Sequence, residues 1–298
     1  MGYRMSLRKE LLLLSVISIV FLAGCATQPT APTGTGVIIK SFAPERSDVE
    51  GATDILFLLT IQNVGEKTAS NVNAELFGLS TEWVCQPSGN CVIGPWALEP
   101  ADQPTGFVGE EASNEWIVRT PPAKNNDIVY DASARVSYGY TTVSDSLLRF
   151  VTSDYLRINP NAQSGVVTSK STSGPLLVTV RAQTPVISSG STLARVQFEI
   201  QNIGGGRVFV NNVASANLDK IHTLTITGVT ACRSVPAAGG TFTSTDTIRL
   251  AGGKSTVITC DLDVSNIGNF KDKPVTLTAD YGYFVESTTQ VTVNKALS

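Results

Sequence analysis

The sequence predicts an all-β protein built from two tandem β-sandwich domains, and three observations predict it. Charged residues make up only 16% of the chain, against about 25% in an average soluble domain. Thr, Ser, Val, Gly and Asn fill the gap, which suits strands joined by tight turns. No long stretch carries the apolar period of an amphipathic helix. Finally, the chain repeats itself: Ile61-Gln62-Asn63-Val64-Gly65 returns as Ile200-Gln201-Asn202-Ile203-Gly204, and Tyr138-Gly139-Tyr140 returns as Tyr281-Gly282-Tyr283. The offsets, 139 and 143 residues, far exceed the roughly 20–50 residues of a solenoid repeat. The recurring unit is therefore a domain.

Residues 1–24 read as a signal peptide. Arg4, Arg8 and Lys9 precede a mostly apolar run from Leu11 to Ala23, interrupted by Ser15 and Ser18. A membrane span needs about 20 apolar residues, whereas an export signal needs about 7–15 after a basic start. No basic-Gly processing site of a retained pilin-like helix precedes the run. Leu22-Ala23-Gly24-Cys25 closes it and resembles the lipobox of secreted lipoproteins, which implies that Cys25 becomes the lipidated first residue of the mature chain. Residues 25–34, rich in Thr, Pro and Gly, form a polar tether. The expected location is extracytoplasmic, with the chain held at a membrane through its lipid; one acyl chain anchors only marginally, so two are expected.

The first sandwich is expected over 35–152 and the second over 175–296. In the first, residues 54–62 form a β-rich run ending at the turn Asn63-Val64-Gly65, and 72–76 supply the next strand. In the second, Ala194 to Ile200 alternates so that Val196, Phe198 and Ile200 share a buried face, with a following strand near 208–213. Ala134, Val136, Tyr138 and Tyr140 share one face of a late strand, as do Leu277, Ala279, Tyr281 and Tyr283; closing strands are expected at 146–152 and 289–293. Residues 153–174, rich in Ser, Asn and Gly, read as a partly flexible linker, although Val166 and Val167 could add a strand to either domain.

Four cysteines follow Cys25, and their even number in an exported chain predicts two disulfides, Cys85 with Cys91 and Cys232 with Cys260. The rival, a four-thiolate zinc site, does not match their spacing.

An apolar strand ending Ile-x-Asn-x-Gly, a small-residue strand, and then Leu98-Glu99-Pro100 or Leu250-Ala251-Gly252-Gly253 before an alternating strand resembles the CARDB-type, adhesion-related immunoglobulin-like module. The resemblance implies two immunoglobulin-like sandwiches on a bacterial or archaeal surface protein. It implies a fold more than a function, since sandwiches host unrelated activities. The stretch from Gln86 to Asn114 is an insertion relative to the minimal module.

Cleavage before Cys25 would leave nineteen basic and twenty-four acidic side chains, a net charge of −5. Without a Lys/Arg cluster, nucleic-acid binding is not expected. The single histidine, His222, removes most general-base and metal-triad arrangements, and no Gly-rich loop opens a helix. No catalytic residue and no cofactor is expected. Asp261, Asp263 and Asn266 could hold calcium, although paired carboxylates on a solvated strand are the commoner arrangement. The four repeated tyrosines are expected to pack the sandwiches with hydroxyls near an edge.

In the insertion, Trp96 and Phe107 are the binding candidates, because long ordered loops are often functional; the competing role is to cap the first core. The leading expectation is a non-catalytic surface lipoprotein for binding, adhesion or envelope scaffolding, with other envelope proteins as partners. The alternatives are a filament or lattice subunit assembled by strand addition through residues 36–40, and a carboxylate-based enzyme or solute-binding accessory.

Overall fold

Alternation of buried and exposed side chains runs through most strands of the computed structural model, which describes residues 36–296 apart from 88, 103 and 189. The signal peptide, Cys25 and the tether to residue 34 lie outside the described residues. The described residues group as one compact unit. The protein is all-β and built of packed antiparallel sheets. Among the described residues no helix is long and apolar enough to cross a membrane.

The first outer sheet has the order β1 (Val37–Pro44), β3 (Asp54–Asn63), β7 (Glu111–Arg119) and β5 (Val84–Gln86). Its inner face presents Ile55, Phe57, Leu59 and Ile61 from β3 and Trp116 and Val118 from β7, all buried. The second outer sheet has the order β10 (Leu176–Ala182), β12 (Leu193–Asn202), β18 (Ser255–Asp263), β15 (Ala231–Cys232) and β16 (Val235–Pro236). Here Val196, Phe198 and Ile200 are buried as their alternation predicts.

A ten-stranded sheet serves both repeats. Its main path is β17 (Thr241–Arg249), β14 (Lys220–Thr227), β19 (Phe270–Val293), β8 (Ile128–Thr152), β4 (Ala69–Phe77) and β6 (Val92–Leu98). Four short strands complete it: β2 (Asp48–Val49) and β13 (Arg207–Phe209) on β19, and β9 (Gly165–Ser171) and β11 (Val186–Ile187) on β8.

The two long strands run antiparallel in unbroken register, from Ile128 opposite Val293 to Val151 opposite Phe270, with Gly139 opposite Gly282. The early part of β8 pairs with β4 of its own repeat. Its late part pairs with β9, and its end pairs in parallel with β11, at the start of the second repeat. β19 behaves reciprocally: its early part pairs with β14, and its end pairs in parallel with β2 of the first repeat. Backbone amides of Thr292, Asn294 and Ala296 donate to carbonyls of Ser47, Val49 and Lys124, so the C-terminal segment is fastened to the first repeat. Each repeat is thus completed by a strand that continues from the other.

This arrangement differs from the separate closing strands expected at 146–152 and 289–293. Each is the uninterrupted continuation of the preceding strand. The reason is local: Thr141-Thr142-Val143-Ser144 and Phe284-Val285-Glu286-Ser287 contain no Gly, Pro, Asn or Asp to turn the chain, and alternation carries on through both. The segment read as a partly flexible linker holds a short helix, α1 (Ser153–Ile158), and the strand β9. Thr152 caps α1 by accepting a hydrogen bond from the Tyr155 amide.

The run 36–40, which the strand-addition alternative offers to a neighbour, pairs along β3 from Val37 opposite Asn63 and forms the edge strand of the first outer sheet. Two edges of the large sheet carry features that oppose strand addition: β6 contains Pro95, and β17 contains Asp246 at φ 55°.

Candidate binding groove

The repeated motifs meet at the centre of the long-strand pair. Because Gly139 faces Gly282, Tyr138 lies opposite Tyr283 and Tyr140 opposite Tyr281, an approximate two-fold relation. All four rings point inward and are buried, with neighbouring centroids 5.8–6.4 Å apart. Their hydroxyls are all engaged. Tyr138 accepts from the Val37 amide at 3.1 Å, and Tyr281 bonds Thr142 Oγ1 at 2.8 Å. Tyr140 accepts from the Lys67 amide and donates to the Ser173 carbonyl; Tyr283 accepts from the Gly206 amide and donates to Asn202 Oδ1. Burial pushes Tyr140 and Tyr283 up to about 12, and Tyr138 and Tyr281 well above the ordinary phenol value.

The Ile-x-Asn-x-Gly turns dock onto these tyrosines. Asn63 Nδ2 donates to the Lys67 and Leu98 carbonyls, both at 2.9 Å, while its Oδ1 accepts from the Gly65 amide. Asn202 repeats this with the carbonyls of Gly206 and Gly253 and the amide of Gly204. A Cβ on Gly65 would sit 2.0 Å from the Tyr140 hydroxyl, and one on Gly204 would sit 2.4 Å from that of Tyr283. The asparagine turn, the Leu98 or Gly253 carbonyl and the tyrosine are therefore one three-way contact, built twice.

On the opposite face, the same centre is the floor of an open groove of about 660 Å³. Ser137, Gly139, Thr141, Asp280 and Gly282 face into it from the long strands. Ser70, Asn71 and Asn73 form one wall; Phe209, Asn211, Asn212, Val213 and His222 form the other. Both glycines are closely approached by the walls, Gly282 by a rigid ring. A Cβ on Gly139 would meet Ser70 Oγ at 2.7 Å, and one on Gly282 would meet the Phe209 ring at 2.6 Å. Asn71 and Asn211 both adopt left-handed backbone, φ 50° and 62°, which asparagine tolerates better than most residues. Asp280 accepts from Thr141 Oγ1 at 2.6 Å, and the exposed His222 pairs with Asp246 at 2.9 Å. The lining contains no Lys or Arg.

The binding candidates from the sequence lie elsewhere. Trp96 on β6 is half-buried and packs against the core, whereas Phe107 is exposed and its backbone bridges Asp102; the structure does not bring them together. Disulfides join Cys85 to Cys91 and Cys232 to Cys260, the second directly across paired strands β15 and β18. Asp261 pairs with Arg195 at 3.4 Å, and Asp263 caps a turn by accepting from the Ser265 amide; the Ser265 hydroxyl and then its amide hold the Asp263 pKa below the ordinary carboxylate value. Among the described residues no group of three or more His, Cys, Asp or Glu side chains is placed to hold a metal ion. The groove itself escaped the sequence reading. A usable signal was present, since Asn71 and Asn211 stand 140 residues apart, in line with the motif offsets.

No family model matches this chain, and no curated protein matches it. Among solved structures, chitinase ChiA74 from Bacillus thuringiensis is similar at 12% identity over 81% of this chain, with a TM-score of 0.19. This chain spans 28% of that one, and a likeness of that size carries no argument.

Proposed function

We propose that this protein is a membrane-anchored extracytoplasmic lipoprotein that works by binding rather than by catalysis, as an adhesion or envelope-scaffold element. The observation that carries the reading is Leu22-Ala23-Gly24-Cys25, placed between a short apolar run and a polar tether. The two disulfides support it, because such bridges persist in oxidising compartments. The resemblance to CARDB-type modules fits the same role. Other envelope proteins or surface polymers are the partners this reading calls for, and the lipid on Cys25 is the only non-protein group it requires.

Comparing the wild-type chain with Cys25→Ser in its host tests the proposal. Lipid mass on the Cys25 peptide and partition into the detergent phase are expected for the wild type. The variant should lose both and appear in the aqueous phase. An unmodified Cys25 peptide in the mature wild-type protein would sink the anchoring.

A further inference from the structure

We infer that the groove over Gly139 and Gly282 binds a neutral carbohydrate, an assignment that rests on reading the chain as a surface binding protein. The first ground is unspent hydrogen-bonding capacity. The side chains of Asn71, Ser137 and Asn211 line the groove and make no side-chain hydrogen bond among the described residues; the Asn71 backbone carbonyl accepts from Asn73. Amides and hydroxyls at such positions offer donors and acceptors together, as a ring of sugar hydroxyls requires.

Charge is the second ground. The groove holds the Asp280 carboxylate and no Lys or Arg, so phosphate or an acidic sugar would enter without a countercharge. Shape excludes two further ligand classes. Small-molecule pockets for apolar ligands are concave and mostly hydrophobic, whereas this groove is shallow and mostly polar, with Phe209 and Val213 as its apolar side chains from the wall. A peptide binding by strand addition needs an unpaired edge, but the floor is formed by strands at mid-sheet whose backbones already pair with each other. A polyhydroxylated ring lying flat over the paired glycines meets all these conditions. Because Asn71 and Asn211 come from different repeats, the site exists only while β8 and β19 are paired.

The test uses the full chain in detergent on an array of neutral and acidic oligosaccharides, followed by calorimetry with the neutral glycans retained. Asn71→Gly and Asn211→Gly, singly and together, remove the side chains while keeping a backbone that glycine adopts readily. Neutral glycans should be retained, and the double variant should bind them about tenfold more weakly or worse, because it loses two hydrogen-bonding side chains. Its thermal unfolding should remain that of an intact fold. An array blank for neutral glycans, a preference for acidic ones, or unchanged affinity in the double variant would overturn the inference. The lipid state of the wild-type chain separates the two readings: glycan binding by a wild-type chain without lipid on Cys25 refutes anchoring alone, and a lipidated chain that retains no glycan refutes the groove alone.

Discussion

In the first repeat, the strand after the asparagine turn, β4, runs continuously from Ala69 to Phe77. In the second, the corresponding stretch is cut into β13 and β14 by residues 210–219, which include a short 3-10 helix at Ser215–Asn217. A bidentate pair closes that interruption, Arg207 to the buried Asp219 at 3.2 and 2.8 Å. The disulfides differ too: one ties β5 to the approach to β6, the other rivets β15 to β18. All three tryptophans belong to the first repeat. What the repeats share lies at the two-fold centre, namely the asparagine turn, the tyrosine pair and the facing glycines. The disulfides and the tryptophans, by contrast, lie away from it. The lesson is that the centre is one structure to which both halves contribute, while each rim is reinforced by its own means.

The strongest way to break this comparison is to damage one half and read the other. Val291 is fully buried, numbered in the second repeat and packed in the first. Val291→Asp places a carboxylate in that core, and the cost of an unpaired buried charge, several kcal/mol, should abolish cooperative folding of the first repeat. Tryptophan fluorescence reads the result directly, since every tryptophan lies there. A normal tryptophan transition in this variant would show that the first sandwich closes without the borrowed strand.

The disulfides sharpen the contrast between rims. By loop length alone, replacing Cys232 and Cys260 with Ala should cost roughly 3.5 kcal/mol, and replacing Cys85 and Cys91 roughly 2. Urea denaturation of the two double variants would show the order; equal losses would mean that loop closure is not what distinguishes them.

At the shared centre the repeats should respond alike but not equally. Asn63 is fully buried, while Asn202 is half-buried. Asn63→Ala orphans two carbonyls and one amide and should cost about 2–3 kcal/mol; Asn202→Ala should cost about 1–2. A larger loss at Asn202 would mean that its bond to Tyr283, which has no counterpart at Asn63, governs the turn.

How much of this was legible beforehand follows from the range of each interaction. The asparagine turns and the tyrosines were visible because short motifs recur at nearly equal offsets, and both disulfides because cysteine pairing is constrained by compartment. The course of the chain beyond Tyr140 and Tyr283 was harder to read. Alternation specifies which face is buried but not which sheet a strand joins, so Thr142 and Ser144 read the same in a hairpin and in a through-running strand. The groove was hidden for a related reason. Asn71 and Asn211 become neighbours of one floor only through the β8–β19 register, a pairing between residues far apart in sequence. Trp96 and Phe107 attracted notice as aromatics in a long insertion, but Trp96 is half-buried against the core by its place on β6.

The smallest expected effect tests the two-fold relation itself. Tyr140 and Tyr283 occupy equivalent places, and burial raises both to about 12, against about 10 for a tyrosine in the unfolded chain. Between those values the unfolded chain releases a proton that the folded one retains, so stability falls as pH rises. Below pH 10 both states keep the proton, and neither tyrosine makes stability depend on pH. From about pH 10 to about 12, each contributes a loss of about 1.4 kcal/mol per pH unit. Tyr140→Phe and Tyr283→Phe should each flatten the decline by that one contribution, and by the same amount. Urea midpoints at pH 9, 10 and 11 would measure it. Unequal flattening would show that the Tyr283 bond to Asn202 makes the two sites electrostatically different despite their matched positions.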